Sequence, residues 1–271
     1  MSINPSSVLL TDRVAVVTGG RAGIGRGIAR GLAAFGAKVA IWERDPVTTA
    51  AAADEIGGLG VLTDVRQAEA VDEALARTTA ELGPVSILVN NAGGVFFSSL
   101  LETSENGFDA LYRANLRQVI VCTQRVARSM VETGSGGSII NITSIEGVRA
   151  APGYAAYAAA KAGVISFTKT AALELALQGI RVNALAPDIT PTEGMLAVTP
   201  PNAQANFQFT IPMGRVGRID EMAGAAVFLA GDLSSYVTGQ TIHVDGGTQA
   251  SGGWTHHPET GAYVTGSAGG L

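Results

Sequence analysis

Arg13-Val14-Ala15-Val16-Val17-Thr18-Gly19-Gly20-Arg21-Ala22-Gly23-Ile24-Gly25 decides the fold class of this 271-residue chain. Arg13 to Val17 is an apolar, β-branched run that fits a buried parallel strand. The glycines that follow permit a tight turn, and a helical segment continues to Phe35. Strand, glycine turn and helix together form a dinucleotide-binding unit. Its glycines, Gly19, Gly23 and Gly25, let the backbone approach a pyrophosphate that sits at the positive end of the helix. The spacing is Gly-x-x-x-Gly-x-Gly, not the usual Gly-x-Gly-x-x-Gly. Glycine loops often serve only as turns, so the weight comes from the flanking strand and helix.

Working outward, the second strand, Lys38 to Trp42, ends at Glu43, eighteen residues beyond Gly25. An acidic residue there accepts a hydrogen bond from the adenosine ribose of NAD and repels the extra phosphate of NADP. Arg44 follows directly and Arg21 sits in the glycine turn, and either can instead hold that phosphate. NAD is the expected cofactor and NADP the alternative. Strands and helices go on alternating: strands at Leu59–Thr63, Val85–Val89, Ser138–Ile142, Ile180–Leu185 and Thr241–Val244, with helices to about Ile56, over Gln67–Leu82, Ser104–Glu132 and Tyr154–Gln178, and near Asp220–Leu229. This order implies an α/β fold, a single doubly wound Rossmann-type domain over residues 1–271, with helices on both faces of a parallel sheet. Ligands then bind at the carboxyl ends of the strands, where every motif named here falls.

One pair on the longest alanine-rich helix stands out. Tyr157 and Lys161 are four residues apart, so they share a helical face about 6 Å apart along the axis. A free tyrosine titrates near ~10, too high for a base at neutral pH. A nearby ammonium lowers that by roughly 1–3 units, enough for proton exchange with an alcohol or carbonyl. Ser144, at the end of the apolar run Ile139 to Thr143, can present a hydroxyl to the same spot. Alone, the pair reads as a solvated lysine beside a half-buried aromatic; the surrounding motifs change that reading.

The net charge of −5 and the absence of a basic stripe argue against nucleic acid and anionic membranes as partners. One cysteine, Cys122, leaves no internal disulfide or Cys-x-x-Cys site. No apolar run approaches the ~20 residues of a membrane span. A soluble cytoplasmic protein of a reducing compartment, with no metal site, is expected.

Together these motifs resemble the short-chain dehydrogenase/reductase family in its compact branch, over Asp12 to Gly247. They read Thr18-Gly19-(x3)-Gly23-x-Gly25, Asn90-Asn91-Ala92-Gly93, Ser144 and Tyr157-(x3)-Lys161. The resemblance implies hydride transfer between a nicotinamide cofactor and a secondary alcohol or ketone. It makes Tyr157 the general acid/base and Ser144 the holder of the substrate oxygen. Lys161 would bind the nicotinamide ribose, and Asn115 would position a water in a proton relay. It also assigns Ile24, Asp64, Val65, Asn91, Ala92, Gly93, Pro187, Ile189 and Thr192 to the cofactor, Asp64 on the adenine amino group and Thr192 on the carboxamide. Asn90 would tie neighbouring strands. Family members are commonly tetramers or dimers, so a homo-oligomer is implied, a tetramer first. The family usually has Pro-Gly where this chain has Pro187-Asp188, which puts the course of the following loop in question. An NADPH-dependent 3-oxoacyl reductase is a rival reading, and a silent nucleotide sensor a third.

Substrate contacts are expected from Gly94–Phe97, Glu146–Tyr154 and a lid between Thr192 and Met213. No cluster of basic residues there marks a phosphate or coenzyme A handle, so a small or medium neutral alcohol or ketone is expected. The extension 248–271 reads either as a flexible tail or as a segment whose Trp254 and Tyr263 dock on a neighbouring subunit.

Overall fold

The computed structural model describes residues 3–199 and 201–265. A seven-stranded parallel sheet organises them, in the order β3-β2-β1-β4-β5-β6-β7. Its strands are β1 (Val14–Thr18), β2 (Lys38–Glu43), β3 (Leu59–Leu62), β4 (Ile87–Asn90), β5 (Gly137–Ile142), β6 (Ile180–Pro187) and β7 (Thr241–Val244). Strand order reverses between β1 and β4, and a parallel sheet of this kind opens a ligand crevice at that point.

Successive strand residues point to opposite faces, so each strand feeds two cores. Val17, Ile41, Val89, Ile142 and Leu185 pack with Ile28, Leu32, Met222 and Leu229 of α1 (Gly23–Ala34) and the last long helix (Ile219–Ala230). Val16, Trp42, Leu88, Ile139 and Val182 pack on the other face with Val71, Val126, Met130 and Ala172. Trp42 is fully buried because its indole N–H donates to the Thr78 hydroxyl at 3.0 Å, which removes the cost of an orphaned donor. Between β2 and β3 lies α2 (Pro46–Glu55), and between β3 and β4 lies α3 (Ala68–Leu82).

The helical run read as Ser104–Glu132 is divided. It comprises α4 (Glu105–Tyr112), one π turn (Arg113–Arg117) and α5 (Gln118–Thr133). The alanine-rich helix α6 spans Ala155–Leu175, tightens to a 3-10 turn over Ala176–Gln178, and stops at Gly179 with φ +71°, the left-handed end expected of glycine. The lid holds three short helices, α7 (Glu193–Val198), α8 (Pro201–Gln204) and α9 (Phe207–Thr210), before α10 (Ile219–Ala230).

The extension is not a bare tail over its described part. After α11 (Thr248–Ser251) it forms an antiparallel hairpin of β8 (Trp254–His256) and β9 (Tyr263–Thr265). Within the chain this hairpin packs on the lid: the His256 ring lies 4.5 Å from that of Tyr263, and its Nε2 is 2.9 Å from the Pro212 carbonyl oxygen. Residues 266–271 of the tail, and Pro200 of the lid, lie outside the described residues.

Candidate active site

The glycine turn is built by close approach. Gly19 takes φ +65°, and a Cβ there would stand 2.9 Å from the Ala92 Cα; Gly23 takes φ +54°, and a Cβ would stand 2.8 Å from Thr192 Cγ2. Neither position admits a side chain without displacing its neighbour. The second contact brings the start of the lid over the turn. Helix α1 begins at Gly23 without a side-chain cap from Ala22. Its first N–H groups, at Gly23, Ile24 and Gly25, are therefore free of a capping oxygen at the positive end of the helix. An open helix N-terminus behind a glycine cradle fits a dinucleotide pyrophosphate.

Thr18 couples this turn to the end of β4. Its hydroxyl accepts the N–H groups of Asn91 and Ala92, each at 3.0 Å. The Asn91 side chain in turn donates to the carbonyls of Thr18 (3.1 Å) and Gly19 (3.0 Å). Asn91 thus holds the two strand ends together. Asn90 does the same one strand over, donating to Asn141 Oδ1 at 2.8 Å and to Thr123 Oγ1 at 3.0 Å. At the adenosine end, Glu43 is largely buried and lies 3.5 Å from Arg21, while Arg44 is exposed. Asp64 is gripped by Arg66 at 2.6 Å, which holds its carboxyl below the usual range, and Val65 beside it is buried.

The four residues of the chemical end converge. Lys161 is buried and donates from Nζ to the Ile142 carbonyl at 2.9 Å, beside Ser144 at the end of β5. Its Nζ is 5.6 Å from the centroid of the Tyr157 ring. The Ser144 hydroxyl lies close enough to the Tyr157 phenol to pull its pKa down. Asn115 is fully buried inside the π turn, donating to the carbonyls of Gly94 (2.8 Å) and Leu111 (3.0 Å). A Cβ on Gly93 would lie 2.8 Å from Asn115 Oδ1 and 3.8 Å from Lys161 Nζ, so these three share one corner. π turns recur at functional sites, because the extra residue re-aims a side chain.

The electrostatics correct one expectation. The sequence leads one to expect the Lys161 ammonium to lower the Tyr157 phenol. Burial instead pushes the Tyr157 phenol up; the Ser144 hydroxyl pulls it down and the Glu146 charge pushes it further up. Lys161 is itself pushed down to about 8 by burial. The reason is geometric: its ammonium is aimed at the Ile142 carbonyl and lies over the ring of Tyr157.

The loop in question after β6 runs with ordinary angles. Among the described residues Asp12 is the non-glycine residue with positive φ, so Asp188 does not occupy a backbone reserved for glycine. Pro187 is buried, and Ile189 and Thr190 line a cavity of about 410 Å³ with Asp188 and His243. Thr192 caps α7 by accepting the Met195 N–H at 3.3 Å.

Sequence reading passed over Arg149. It donates to Glu146 at 2.7 Å and to Asp188 at 3.3 Å, linking the segment after Ser144 to the segment after Pro187. The legible signal was its spacing of three from Glu146. Phe97 packs edge-on against Tyr154 at 5.5 Å, and the Ser98 N–H donates to the Gly153 carbonyl at 2.9 Å. Two of the expected substrate segments therefore touch. Among the described residues no group of three metal-ligating side chains occurs, and no helix is long and apolar enough to cross a membrane. Cys122 is buried and its thiol is pushed up to about 12, which leaves it inert.

Comparison with known proteins agrees with this geometry. The sequence profile described as enoyl-(acyl carrier protein) reductase matches residues 19–249. A 3-oxoacyl-[acyl-carrier-protein] reductase of Synechocystis is 43% identical over 245 residues, covering 88% of this chain and 97% of that protein. One from Chlamydia muridarum is 40% identical over 245 residues, covering 88% and 98%. The crystal structure of a putative NAD(P)-dependent gluconate 5-dehydrogenase from Beutenbergia cavernae, with bound NADP, is 36% identical and superposes with a TM-score of 0.84, covering 90% of this chain and 99% of that one. The chain belongs to the short-chain dehydrogenase/reductase family and is an NAD(P)-dependent oxidoreductase.

Proposed function

We propose that this oxidoreductase interconverts an uncharged secondary alcohol and its ketone, with Tyr157 as general acid/base, Ser144 on the substrate oxygen, and NAD as its preferred cofactor. The observation that carries the reading is the meeting of the Ser144 hydroxyl, the Tyr157 phenol, Lys161 and Asn115 beside the open N-terminus of α1.

The bound nicotinamide supplies or accepts the hydride. Gly19, Gly23, Ile24 and Gly25 would hold a pyrophosphate against the uncapped N–H groups of α1. Ala92, Gly93, Pro187, Ile189 and Thr192 would flank the nicotinamide half, and Lys161 would bind its ribose. In the oxidative direction Tyr157 takes the alcohol proton only in its ionised form, so oxidation should gain as pH rises. In the reductive direction Ser144 and Tyr157 donate to the oxygen on which negative charge develops. Burial raises the Tyr157 phenol, so its resting form is protonated, ready to act as the acid. Asn115 holds the Gly94 carbonyl and can place a water beyond Lys161 for proton exchange with solvent.

Glu43, largely buried at the end of β2, supports NAD, because a carboxylate there repels an adenosine phosphate. The NADPH-dependent 3-oxoacyl reductase remains the second reading, favoured by the names of the relatives and by Arg21 and Arg44 flanking Glu43. Rates with NADH and NADPH on simple ketones and on acetoacetyl thioesters separate the two. Tyr157→Phe is expected to lose more than nine-tenths of turnover while nucleotide affinity stays within about threefold; near-normal turnover would remove Tyr157 from its role.

A further inference from the structure

Asp188 is the residue that departs from the family's usual glycine, and it is not idle. Its side chain is 6% exposed, yet Oδ2 has no hydrogen-bond partner. Its other oxygen meets Arg149 Nη2 at 3.3 Å, and the same nitrogen meets Glu146 Oε1 at 2.7 Å. Glu146 is tied to the reacting site, since its N–H donates to Ser144 Oγ at 3.2 Å and its charge acts on Tyr157. Asp245, at the end of β7, also acts on Arg149.

One guanidinium therefore faces three carboxylates. Nearby, Glu221 sits between Arg215 at 2.6 Å and the exposed Arg218 at 3.5 Å, so around this mouth four carboxylates face three guanidiniums. Lys161 lies on the nucleotide side of Tyr157, in the corner of Gly93 and Asn115. Strand geometry sets the reach: Thr143 N–H donates to the Leu185 carbonyl, so Ser144 and Pro187 end adjacent strands, about 4.8 Å apart laterally. A substrate whose oxygen lies on Ser144 extends past these carboxylates.

We propose that Glu146 and Asp188 are specificity residues that keep the substrate mouth net negative, so that the enzyme takes uncharged ketones and secondary alcohols and rejects those bearing a carboxylate or phosphate. This rests on the reading of Ser144 and Tyr157 as the reacting site. Arg149 is not a free handle for a substrate anion, because both carboxylates already occupy it. In a half-solvated mouth, each uncompensated charge changes selectivity roughly fivefold.

The test compares methyl acetoacetate with acetoacetate, two ketones alike at the reacting carbon and different by one charge. Wild-type kcat/KM is expected to favour the ester at least about tenfold at ~20 mM salt. The preference should shrink about threefold at ~500 mM, as the screening length falls from roughly 20 to 4 Å. Glu146→Gln and Asp188→Asn, both close in shape to the originals, should each lower the ester-to-acid ratio roughly fivefold. Glu132→Gln, on α5, should leave it alone. The ratio is the readout, so a general loss of activity cancels, and melting curves confirm folding. Parity of the two ketones in the wild type, a salt-insensitive ratio, or a ratio that survives both substitutions overturns the proposal. Turnover of neither ketone by an enzyme that still oxidises other secondary alcohols through Tyr157 also overturns it and leaves the parent reading standing. Loss of the Tyr157 dependence would instead sink the parent reading.

Discussion

A single methyl group added at Gly25 would run into the Asn91 side-chain nitrogen and the Gly19 carbonyl oxygen. Those two groups are already bonded to each other at 3.0 Å, so neither moves without breaking the tie between β1 and β4. Gly25→Ala is expected to cost about 1–3 kcal/mol of stability, in the range of overpacked sites, and to weaken nucleotide binding at least about tenfold. Urea unfolding and a fluorescence titration with NADH measure the two effects; a variant matching the wild type in both would mean that the turn is looser than its geometry implies. Lys161 makes a different kind of claim. Burial brings it from 10.5 to about 8, so between those values the unfolded chain binds the proton and the folded chain does not. Stability then rises with pH across this window, by roughly 3 kcal/mol at most, as the penalty for a buried charge is relieved. Lys161→Met should flatten that slope; an unchanged pH dependence would show that the ammonium is solvated.

At the scale of elements, the signals that were legible were those written in local chemistry. The alanines of α6 and Gly179 announce a long helix and its left-handed stop, and the β-branched run before Gly19 announces a buried strand. Asn115 could be placed on a helix, but its π turn could not be read, because one added residue changes the direction of a side chain without changing composition. Arg149 and Asp188 are 39 residues apart in sequence, and only the pairing of β5 with β6 brings them together. The hairpin β8–β9 was equally hidden, since its strands are three residues each and gain their order from the lid beneath them. That dependence runs both ways. Met213 N–H donates to the Gly246 carbonyl at 3.1 Å, just before the extension, and within it His256 Nε2 lies 2.9 Å from the Pro212 carbonyl oxygen, so the hairpin pins the end of the lid. Truncation after Gly252 is expected to raise KM for the alcohol several-fold and to speed proteolysis within 199–213, with kcat changed much less. Equal KM and equal cleavage rates would reduce the hairpin to a passenger.

The molecule as a whole leaves one helical surface unexplained by its own core. Helix α6 faces the sheet with Val164, Thr168, Ala171 and Ala172, yet its outer side carries Leu173, 76% exposed, and the 3-10 turn that follows carries Leu177, 98% exposed. Phe108 and Tyr112 of the neighbouring α4 are also exposed, and α4 packs on α6. Apolar side chains grouped on adjoining helices mark an association surface more often than a free one. A second copy of the chain is the expected occupant, since a two-fold contact uses the same patch on both subunits. The expected assembly is a homo-oligomer in which this face forms a contact. Leu173→Glu together with Leu177→Glu should halve the sedimenting mass or reduce it to a monomer, because a carboxylate buried at such a contact lacks a partner. The candidate site lies at the carboxyl edge of the sheet, away from this face, so the dissociated variant should still bind NADH. A wild-type chain that sediments as a monomer across the micromolar range would leave those leucines as surface residues with no partner to cover them.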